Sequence, residues 1–410
     1  MVTKTMHSQQ VDRLARWLVG GGIVVTALSL RSAVTSLGVV LDQVRAALAM
    51  SATLAGVVTA LPVICFAAFG ALAPALSRRI GEAQLVLGGV AVIVVGLAWR
   101  AVAGSSASFV LGSTLALAGI AVANIMMPVL IKLYFPHRVG LMTGVYSMGA
   151  AASVALPAGA TVGIGEATGY GWRGGLGSWA VVAAVALVPW LILLRRRHAP
   201  ADEETVPHRV HPPTALLRSP TALGLAAFFG LQALSAYAVM GWLPAILIGA
   251  GIATDTAALM LSASALAAIP ISLVLPRFAA KSRSQRPYVA GIVLGGLAGY
   301  TGLLLAPAAA PWLWVVLLAC LHGAFPLAMT LISLRTREAS TAAQLSGFAQ
   351  SAGYALAALG PLAIGALNDL TSGWTAPLLL LIGCLVVELV AGFVAARPRH
   401  VDDEIATAAR

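Results

Sequence analysis

Charged residues are scarce in this sequence. Only 10% of its 410 residues are Asp, Glu, Lys or Arg, whereas ordinary soluble domains contain roughly 25%. A soluble globule of this size needs a largely polar surface, so the composition excludes a soluble enzyme. Because 60% of the residues are hydrophobic, a disordered chain is excluded as well.

Cysteine and lysine are nearly absent, and each absence excludes a class of chemistry. The three cysteines, Cys65, Cys320 and Cys384, stand in apolar stretches, which excludes a disulfide framework. None of the three lysines follows a glycine, so the sequence has no phosphate-binding P-loop. It also has no HExxH motif, cysteine pair or cluster of His and acidic residues. We therefore expect no catalytic residue, no metal site and no cofactor.

What the sequence does contain is a series of long apolar stretches. A helix needs about 20 apolar residues to cross a bilayer, and stretches of this kind recur along the whole chain. Proline and glycine inside them are compatible with membrane helices, because neighbouring helices satisfy the freed backbone groups. We predict an all-α membrane protein with 12 transmembrane helices, at residues 17–41, 53–76, 84–103, 107–133, 140–164, 174–194, 221–248, 256–279, 288–307, 311–334, 342–367 and 375–396.

The chain divides near its middle. Its longest polar stretch, residues 195–220, is rich in proline, histidine and charge, which indicates a linker. Three residues of the fifth span recur 204 positions later in the eleventh: Ser147, Gly149 and Pro157, then Ser351, Gly353 and Pro361. Such internal similarity is typical of duplicated transporter halves. We predict two pseudo-symmetric bundles of six helices, at residues 1–194 and 221–410, joined by a cytosolic linker at 195–220.

Topology explains the net charge of +11. With the N-terminus in the cytosol, 20 of the 25 Lys and Arg residues fall on the cytosolic side, and three (Arg45, Arg100 and Arg173) fall outside. Basic residues favour cytosolic segments, so this asymmetry places both termini in the cytosol. We expect these charges to contact anionic lipid headgroups rather than nucleic acid.

Arg31 lies in the middle of the first span, where a charge costs about 3 kcal/mol. The nearest acidic residue towards the C-terminus is Asp42, roughly 16 Å along a helix, which is too far for a direct ion pair. The planar guanidinium suits carboxylate-like groups, so we interpret Arg31 as the anchor of a negative or strongly dipolar ligand. The alternative is a structural arginine that backbone carbonyls or an acid on another helix satisfy.

Three further ionisable residues within spans are candidates for function, and each has two interpretations. Glu388 is either a proton carrier or a protonated packing residue, and the second is favoured. His322 is the only histidine within a span; it either switches with protonation or stays neutral and hydrogen-bonded. Lys132 either takes part in gating or extends its ammonium group to the cytosolic surface.

Polar and aromatic residues recur on single faces of several spans. In the eleventh span Ser346, Gln350 and Tyr354 are spaced four residues apart, which places them on one face of a helix. As a group, such residues indicate a polar cavity lined by aromatic rings, whereas each alone is also suited to hold two helices together. The other candidates are Thr35 on the face of Arg31, Asn124, Tyr146, the set Gln232, Ser235 and Trp242, and Tyr237 on another face of the seventh span.

The stretch GALAPALSRRIG at residues 70–81 resembles the signature of the major facilitator superfamily between spans two and three. Its glycine, its small and leucine pair and its basic residues match. Pro74 stands where that signature has an acidic residue, so the charge pair of the gate lacks its usual acid. The resemblance implies that Arg78 and Arg79 belong to a gate.

Longer segments are similar to the cyanate permease and 2-nitroimidazole transporter (CynX/NimT) family. The most specific are PVLIKLYFPHRVGLMTGVY at 128–146 and GLQALSAYAVMGWLP at 230–244. The pattern of that family leads us to expect Arg-Asp after Lys132, where this chain has Leu133 and Tyr134. The similar segments in both halves are 31–45, 59–81, 119–146, 171–180, 230–247 and 345–374.

This resemblance implies alternating access, in which two six-helix bundles rock about a central site. Helices one, four, seven and ten would line the site, with contributions from five and eleven, and helix twelve would be peripheral. The family's substrates are small: cyanate, nitroimidazoles and other organic anions. The residues that would then face the cavity are Arg31, Asn124, Gln232, His322, Gln350 and Tyr354.

We therefore predict a proton-coupled secondary transporter of a small polar or anionic compound, a monomer in the bacterial cytoplasmic membrane. A broad-specificity drug efflux antiporter is the second hypothesis, disfavoured because the N-terminal cavity helices contain no acidic residue for a cationic drug. A transporter-like receptor is the third, although the tails at 1–16 and 397–410 would leave little room for a signalling domain. A membrane-embedded enzyme lacks any catalytic constellation.

Overall fold

The computed structural model describes residues 2–50, 52–196 and 213–408, and these ranges form helices and loops without a β-strand. Helices are the expected outcome for such apolar segments, because a helix pairs all its backbone groups internally inside a bilayer. Most of the linker predicted at 195–220 lies outside the described residues. At its edges a helix ends at Arg196 and a 3₁₀ turn spans Pro213–Arg218.

The chain forms two compact units. The first consists of Met1–Arg138 with Gly149–Val210, and the second of Val139–Met148 with His211–Arg410. One long helix therefore contributes its first segment, Val139–Met148, to the second unit and its remainder to the first. The boundary between bundles at the 195–220 linker stays a prediction.

The first unit is built around one helix that is buried on all sides. Every residue of that helix, α5, is buried from Ala116 to Ile131, as expected for a helix that is apolar all round. Glycine lets α4 approach it closely, because a Cβ at Gly96 would lie 2.3 Å from the Ala116 nitrogen. The helices are α1 (Val2–Ser29), α2 (Ser32–Ala47), α3 (Ala52–Ile80), α4 (Glu82–Ala101), α5 (Ser106–Tyr134), α6 (Val139–Thr168) and α7 (Trp172–Arg196).

Trp190 of α7 fixes the position of α1. Its ring is fully buried, and its Nε1 donates a hydrogen bond of 3.0 Å to Thr26 Oγ1. The ring lies over Gly22, where a Cβ would come within 2.8 Å of it. The last two turns of α1 are therefore held firmly just before the chain reaches Arg31.

The second unit also depends on a close approach of two helices. A Cβ at Gly230 of α8 would lie 2.9 Å from the Gly353 Cα of α13, so these helices touch backbone to backbone. This contact brings the neighbouring residues Phe229 and Tyr354 together. Beyond the first segment of α6, the helices are α8 (Pro220–Gly249), α9 (Thr254–Lys281), α10 (Arg286–Leu305), α11 (Pro311–Ala319), α12 (Ala324–Leu334), α13 (Ala339–Ala357), α14 (Leu359–Thr371), α15 (Thr375–Ala395) and α16 (Val401–Ala408).

Carboxylates of the short C-terminal helix α16 cap the starts of two long helices. Glu404 accepts hydrogen bonds from the Thr221 nitrogen (3.1 Å) and Thr221 Oγ1 (2.7 Å) at the start of α8. Asp402 accepts from Thr341 Oγ1 (2.7 Å) in the first turn of α13. Negative charge at helix N-termini is stabilising, so α16 holds the ends of α8 and α13 together.

Arg335 lies just beyond the last residue of α12 and joins the ends of three helices. It donates to the carbonyls of Ala395 and Ala396, both at 3.1 Å, and to Gln285 Oε1 at the start of α10. Burial lowers the pKa of this guanidinium. Arg335 therefore has a structural role that the charge count alone does not reveal.

Ten segments of the described chain are long and apolar enough to cross a membrane. The multi-span helical architecture is therefore confirmed. Two further predicted spans correspond to α3 at 53–76 and to α13 with α14, interrupted at Ala358, at 342–367. The count of twelve and the cytosolic termini stay predictions. The ten are Leu14–Leu41, Glu82–Ala101, Ser106–Tyr134, Pro136–Thr168, Trp172–Arg195, Pro220–Met240, Leu259–Lys281, Arg286–Leu305, Pro311–Leu334 and Thr375–Ala395.

Candidate functional site

The first span is interrupted at Arg31. Helix α1 ends at Ser29 and α2 begins at Ser32, so Leu30 and Arg31 form a turn between them, which we call the Arg31 break. The Arg31 backbone has φ −117° and ψ −4°, outside the range of a regular helix. Its side chain is half-buried. The guanidinium predicted to anchor a ligand thus stands where the helix stops and restarts.

Serine hydroxyls bond to backbone groups on both sides of the Arg31 break. Ser32 Oγ donates to the Ser29 carbonyl at 2.9 Å, which is the acceptor that the next helical turn would otherwise use. Side-chain hydroxyls that compete in this way weaken a helix. The freed Arg31 nitrogen donates to Ser153 Oγ of α6 at 3.2 Å. Thr35 Oγ1 donates to the Arg31 carbonyl at 3.1 Å, so the predicted proximity of Thr35 and Arg31 is observed as a hydrogen bond.

Arg100 of α4 also holds the start of α2. Its Nη1 donates to the Ala33 carbonyl at 2.6 Å and its Nη2 to Ser36 Oγ at 2.9 Å. The side chain is only 1% exposed, and among the described residues no carboxylate pairs with it. The charge count places Arg100 among the three basic residues of the outer side, a topology that stays a prediction, and its burial shows a structural role that the count does not reveal. In the sequence, a buried arginine near the end of a span looks the same as an arginine that faces water beside the membrane. Only the tertiary contacts distinguish the two.

The other candidates of the first unit lie apart from the Arg31 break in the chain. Asn124 is buried in the middle of α5, and Lys132 is half-buried in its last turn. Arg78 and Arg79 are exposed in the last turn of α3. The gating roles of these three basic residues stay predictions.

Four aromatic rings form a cluster in the second unit, which we call the aromatic cluster. Tyr146 of α6 and Phe325 of α12 have ring centroids 6.4 Å apart. Phe325 lies 6.2 Å from Phe229 of α8. Phe229 in turn meets Tyr354 of α13 edge to face at 5.2 Å. The predicted residues Tyr146 and Tyr354 are thus joined through Phe229 and Phe325. The sequence did not single out these two phenylalanines, because an apolar side chain in an apolar span does not differ from its neighbours.

Amide and hydroxyl groups lie on the same helices as these rings. Gln350 Nε2 donates to Ser346 Oγ at 2.8 Å, which confirms that the two residues share a face of α13. Gln232 is buried one turn beyond Phe229 in α8. These groups give the second unit hydrogen-bonding capacity beside flat aromatic surface, a combination that suits a small planar ligand.

Trp242 and Tyr237 stand further along α8 than Phe229 of the aromatic cluster. Trp242 packs on Trp374 with ring centroids 5.8 Å apart, and it is about 20 Å from Phe229 along α8. Tyr237 is half-buried. The ring contact of Trp242 is therefore with Trp374 of the loop before α15.

The tenth predicted span is also interrupted at an ionisable residue. Between α11 and α12 the chain tightens to a 3₁₀ turn at Cys320–Gly323, which we call the His322 turn. Pro326 has no N–H, so the His322 carbonyl lacks its helical donor, and this loss favours the tighter turn. His322 Nε2 lies 3.1 Å from Ser264 Oγ of α9. Glu388, the remaining ionisable candidate, is fully buried in α15.

Sequence comparison gives this chain clear relatives. A model of the Major Facilitator Superfamily matches residues 22–358. The chain is 35% identical over 397 residues to the uncharacterized transporter YycB of Bacillus subtilis, covering 96% of each chain. It is 33% identical to the 2-nitroimidazole transporter of Escherichia coli, covering 93% of this chain and 95% of that one. It is 27% identical to the cyanate transport protein CynX of Escherichia coli, covering 90% and 95%.

Solved structures share the fold. The proton:xylose symporter XylE matches with a TM-score of 0.75 at 14% identity, covering 97% of this chain and 99% of XylE. The transporter FucP in its outward conformation matches with a TM-score of 0.69 at 12% identity, covering 91% and 98%. At these identities the likeness concerns the fold alone.

Proposed function

Because the chain belongs to the major facilitator superfamily, as a transporter of the CynX/NimT type, we propose that it moves a small polar or anionic organic compound. Cyanate and nitroimidazoles indicate the size and polarity of this substrate. The protein is a multi-span transporter of the bacterial cytoplasmic membrane and not an enzyme. We further propose that it works as a monomer by rocker-switch alternating access.

The Arg31 break is the observation that supports a substrate with negative charge or a strong dipole. A guanidinium is costly in a membrane span, and here it stands at an irregular backbone segment. Such segments at membrane depth are tolerated where protein buries them or where they line a water-filled cavity. Arg31 would neutralise the substrate, and its planar fork fits the oxygens of a nitro group or a small anion.

The placement of acidic residues in the first unit supports the same choice. Asp42, Glu82 and Glu166 stand at or next to the ends of the apolar segments in the described chain. A lipophilic cation would find no counter-charge deeper in these spans. This arrangement disfavours the efflux of cationic drugs relative to the transport of an anion or a nitro compound.

We propose that a proton gradient drives the transport. The sequence contains no P-loop for ATP, so a gradient is the available source of energy. His322 is the candidate whose ordinary pKa suits a proton switch near neutral pH. Its contact with Ser264 at the His322 turn gives it a hydrogen-bonding partner that its protonation would affect.

Ligand-dependent thermal stability of the purified protein tests the substrate class. We expect cyanate or 2-nitroimidazole to raise the melting temperature and tetraphenylphosphonium, a lipophilic cation, to leave it unchanged. A ligand at about 100 times its Kd adds about 2.7 kcal/mol of stability. Stabilisation by the cation alone would overturn the proposal in favour of drug efflux.

Uptake into proteoliposomes tests the role of Arg31. We expect Arg31→Ala to lower uptake of the stabilising compound at least tenfold, while membrane insertion is kept because removal of the charge eases it. Arg283→Ala removes the charge of an exposed arginine between α9 and α10 and serves as the matched control. Equal uptake by both variants would exclude Arg31 as the anchor.

A further inference from the structure

Glu388 carries a carboxyl group that is fully buried. It lies in the membrane-spanning helix α15 and is 0% exposed. Neither of its oxygens has a hydrogen-bond partner among the described residues. A buried polar group of this kind is rare in native structures and requires an explanation.

The helices packed around α15 provide no cation for this carboxyl. Helices α8 and α14 contain no Lys, Arg or His. In α10 the only basic residue is Arg286, in the first helical position and exposed. It is about 21 Å along α10 from Tyr300, the residue of that helix that interacts electrostatically with Glu388.

Two weakly acidic groups share the surroundings of Glu388. The Tyr300 hydroxyl of α10 and the Cys384 thiol, one turn earlier in α15, both interact with it electrostatically. The other titratable residues in the sequences of the adjoining helices are Tyr237 in α8, Tyr288 in α10 and Asp369 in α14. None of these would compensate a negative charge at Glu388.

The energetics require that this carboxyl carries a proton in the conformation described. An ionised carboxylate without a counter-ion or a donor would be far more costly than the neutral acid. A methionine or leucine would fill the same volume without burying unpaired polar atoms. Packing alone therefore does not account for a carboxyl at this position, although its peripheral helix favoured that interpretation at the sequence level.

A second buried polar group lies on the neighbouring helix α10. Tyr300 is 1% exposed, and its hydroxyl also has no hydrogen-bond partner in the described part of the chain. A tyrosine hydroxyl is a donor, and a bond from a donor favours the charged form of a carboxyl. Tyr300 thus lies on a neighbouring helix and close enough to interact with Glu388, so its hydroxyl is a donor available to the carboxylate after proton loss.

Helix α10, which carries Tyr300, also packs against the His322 turn. A Cβ at Gly295 would lie 2.9 Å from the Cys320 Cβ, and one at Gly296 would lie 2.5 Å from Leu321 Cδ2. The absence of side chains there allows the turn to pack directly on the α10 backbone. A change in the turn would therefore displace α10 and, with it, the Tyr300 hydroxyl.

We propose that Glu388 is a proton-binding site of this transporter, loaded in the conformation described and unloaded in another. On unloading, the O–H bond of the carboxyl breaks, the proton passes to water, and Tyr300 donates a hydrogen bond to the carboxylate that remains. Reloading returns a proton from water on the opposite side of the membrane. This inference rests on the proposed proton coupling and names a residue that performs it.

The decisive experiment separates substrate exchange from uphill transport. Proteoliposomes containing Glu388→Gln are assayed for exchange of labelled 2-nitroimidazole or cyanate at equilibrium, and for accumulation driven by an imposed pH gradient. We expect exchange to continue, whereas accumulation falls at least tenfold and substrate-induced proton uptake is lost. Glu166→Gln makes the same chemical change at an exposed position near the end of α6 and is expected to behave like the unsubstituted protein.

The outcomes distinguish this inference from the proposed function. If Glu388→Gln accumulates substrate as the unsubstituted protein does, Glu388 is not the proton site, and proton-coupled transport stands. If the unsubstituted protein exchanges substrate but a pH gradient drives no accumulation, the proton coupling itself is wrong. If it exchanges neither compound, the substrate class proposed above is wrong.

Two further measurements keep the inference testable if Glu388→Gln fails to fold. Infrared spectra of the unsubstituted protein report the carbonyl stretch of a protonated carboxylic acid, and we expect the intensity of that band to change when substrate binds. Tyr300→Phe removes only the hydroxyl and is expected to slow gradient-driven accumulation more than exchange. An infrared band that does not change with substrate, together with an unaffected Tyr300→Phe variant, would overturn the proposal.

Discussion

Each unit of the molecule contains a span that is interrupted at an ionisable residue, and the two interruptions arise differently. At the Arg31 break the sequence has no proline; serine hydroxyls take up backbone groups, and Ser153 and Arg100 bind the chain on either side. At the His322 turn Pro326 removes a backbone donor, and the chain tightens to a 3₁₀ turn. The first interruption depends on residues distant in sequence, whereas the second is encoded within four residues.

This difference has consequences for how each site responds to substitution. The geometry around Arg31 depends on hydrogen bonds from α4 and α6, so it should be sensitive to changes far from it in the sequence. The geometry around His322 should persist when its neighbours change and should be lost when Pro326 is replaced. Measurements on matched variants of the two regions would confirm or refute this contrast.

The largest effect is expected for Arg100→Met. The substitution removes both hydrogen bonds to the start of α2, and bonds from a charged donor are worth about 1.5–3 kcal/mol each. We expect transport to fall at least tenfold as α2 and Arg31 shift. Replacing a buried charge by an apolar side chain also removes its desolvation cost, so the melting temperature should change little.

Arg100→Lys and Arg173→Met make this test specific. Lysine keeps the charge without the planar fork, so we expect it to restore transport only in part. Arg173 also donates to a backbone carbonyl, that of Ala103 at 3.0 Å, but this bond does not involve α2, so we expect Arg173 to tolerate methionine. A variant Arg100→Met with normal transport and a strongly lowered melting temperature would reduce Arg100 to a stability role.

The next largest effect is expected for Pro326→Ala. Alanine restores the N–H that the His322 carbonyl lacks, so the helix should run on through residues 320–323. We expect the free energy of unfolding to rise by about 1 kcal/mol or more. His322 would turn away from Ser264, and transport should fall about fivefold, the equivalent of about 1 kcal/mol.

Chemical denaturation and transport assays on the same variant check this prediction. Pro62→Ala, in α3 of the first unit, is a proline control within an unbroken helix. If Pro326→Ala leaves both stability and transport unchanged, the proline is not the cause of the turn.

The sequence predicted the ten apolar segments that are long enough to cross a membrane, because hydropathy depends on composition alone. It also selected Arg31 and His322, since an ionisable residue in an apolar stretch stands out. It did not predict that the helix stops at either residue. The Arg31 break requires Ser153 and Arg100, which lie 122 and 69 positions away in the chain. At the His322 turn, Pro326 is compatible with a continuous membrane helix, so its presence alone does not predict the interruption.

The sequence was least informative about residues that resemble their surroundings. Phe229 and Phe325 join Tyr146 to Tyr354, but a phenylalanine in a membrane span carries no distinguishing signal. Arg100 was assigned to the outside because it stands three residues from the predicted end of a span. Whether such a residue faces water or the protein interior depends on the neighbouring helix, which a single sequence does not specify.

A smaller effect is expected for Ser153→Ala. The Arg31 nitrogen would lose the acceptor that it has at 3.2 Å, and a neutral hydrogen bond contributes about 0.5–1.5 kcal/mol. We expect the KM for substrate to rise about threefold, while the maximal rate changes less because the Arg31 side chain is retained. Ser178→Ala, whose hydroxyl bonds only within α7, is the matched control. If Ser153→Ala and Ser178→Ala have equal KM values, the α6 contact does not position Arg31.

The smallest effect is expected for Ser264→Ala. The serine hydroxyl is the hydrogen-bond partner of His322 Nε2 at 3.1 Å, but Pro326 maintains the turn whether or not this bond is made. We therefore expect transport at neutral pH to change by less than about twofold, close to the lower limit for the loss of one neutral hydrogen bond. Transport rates of Ser264→Ala and Ser153→Ala, measured side by side, show which of the two variants loses more transport. A larger loss for Ser264→Ala would show that the His322 turn depends on its neighbours as much as the Arg31 break does, and the contrast between locally and remotely determined interruptions would no longer hold.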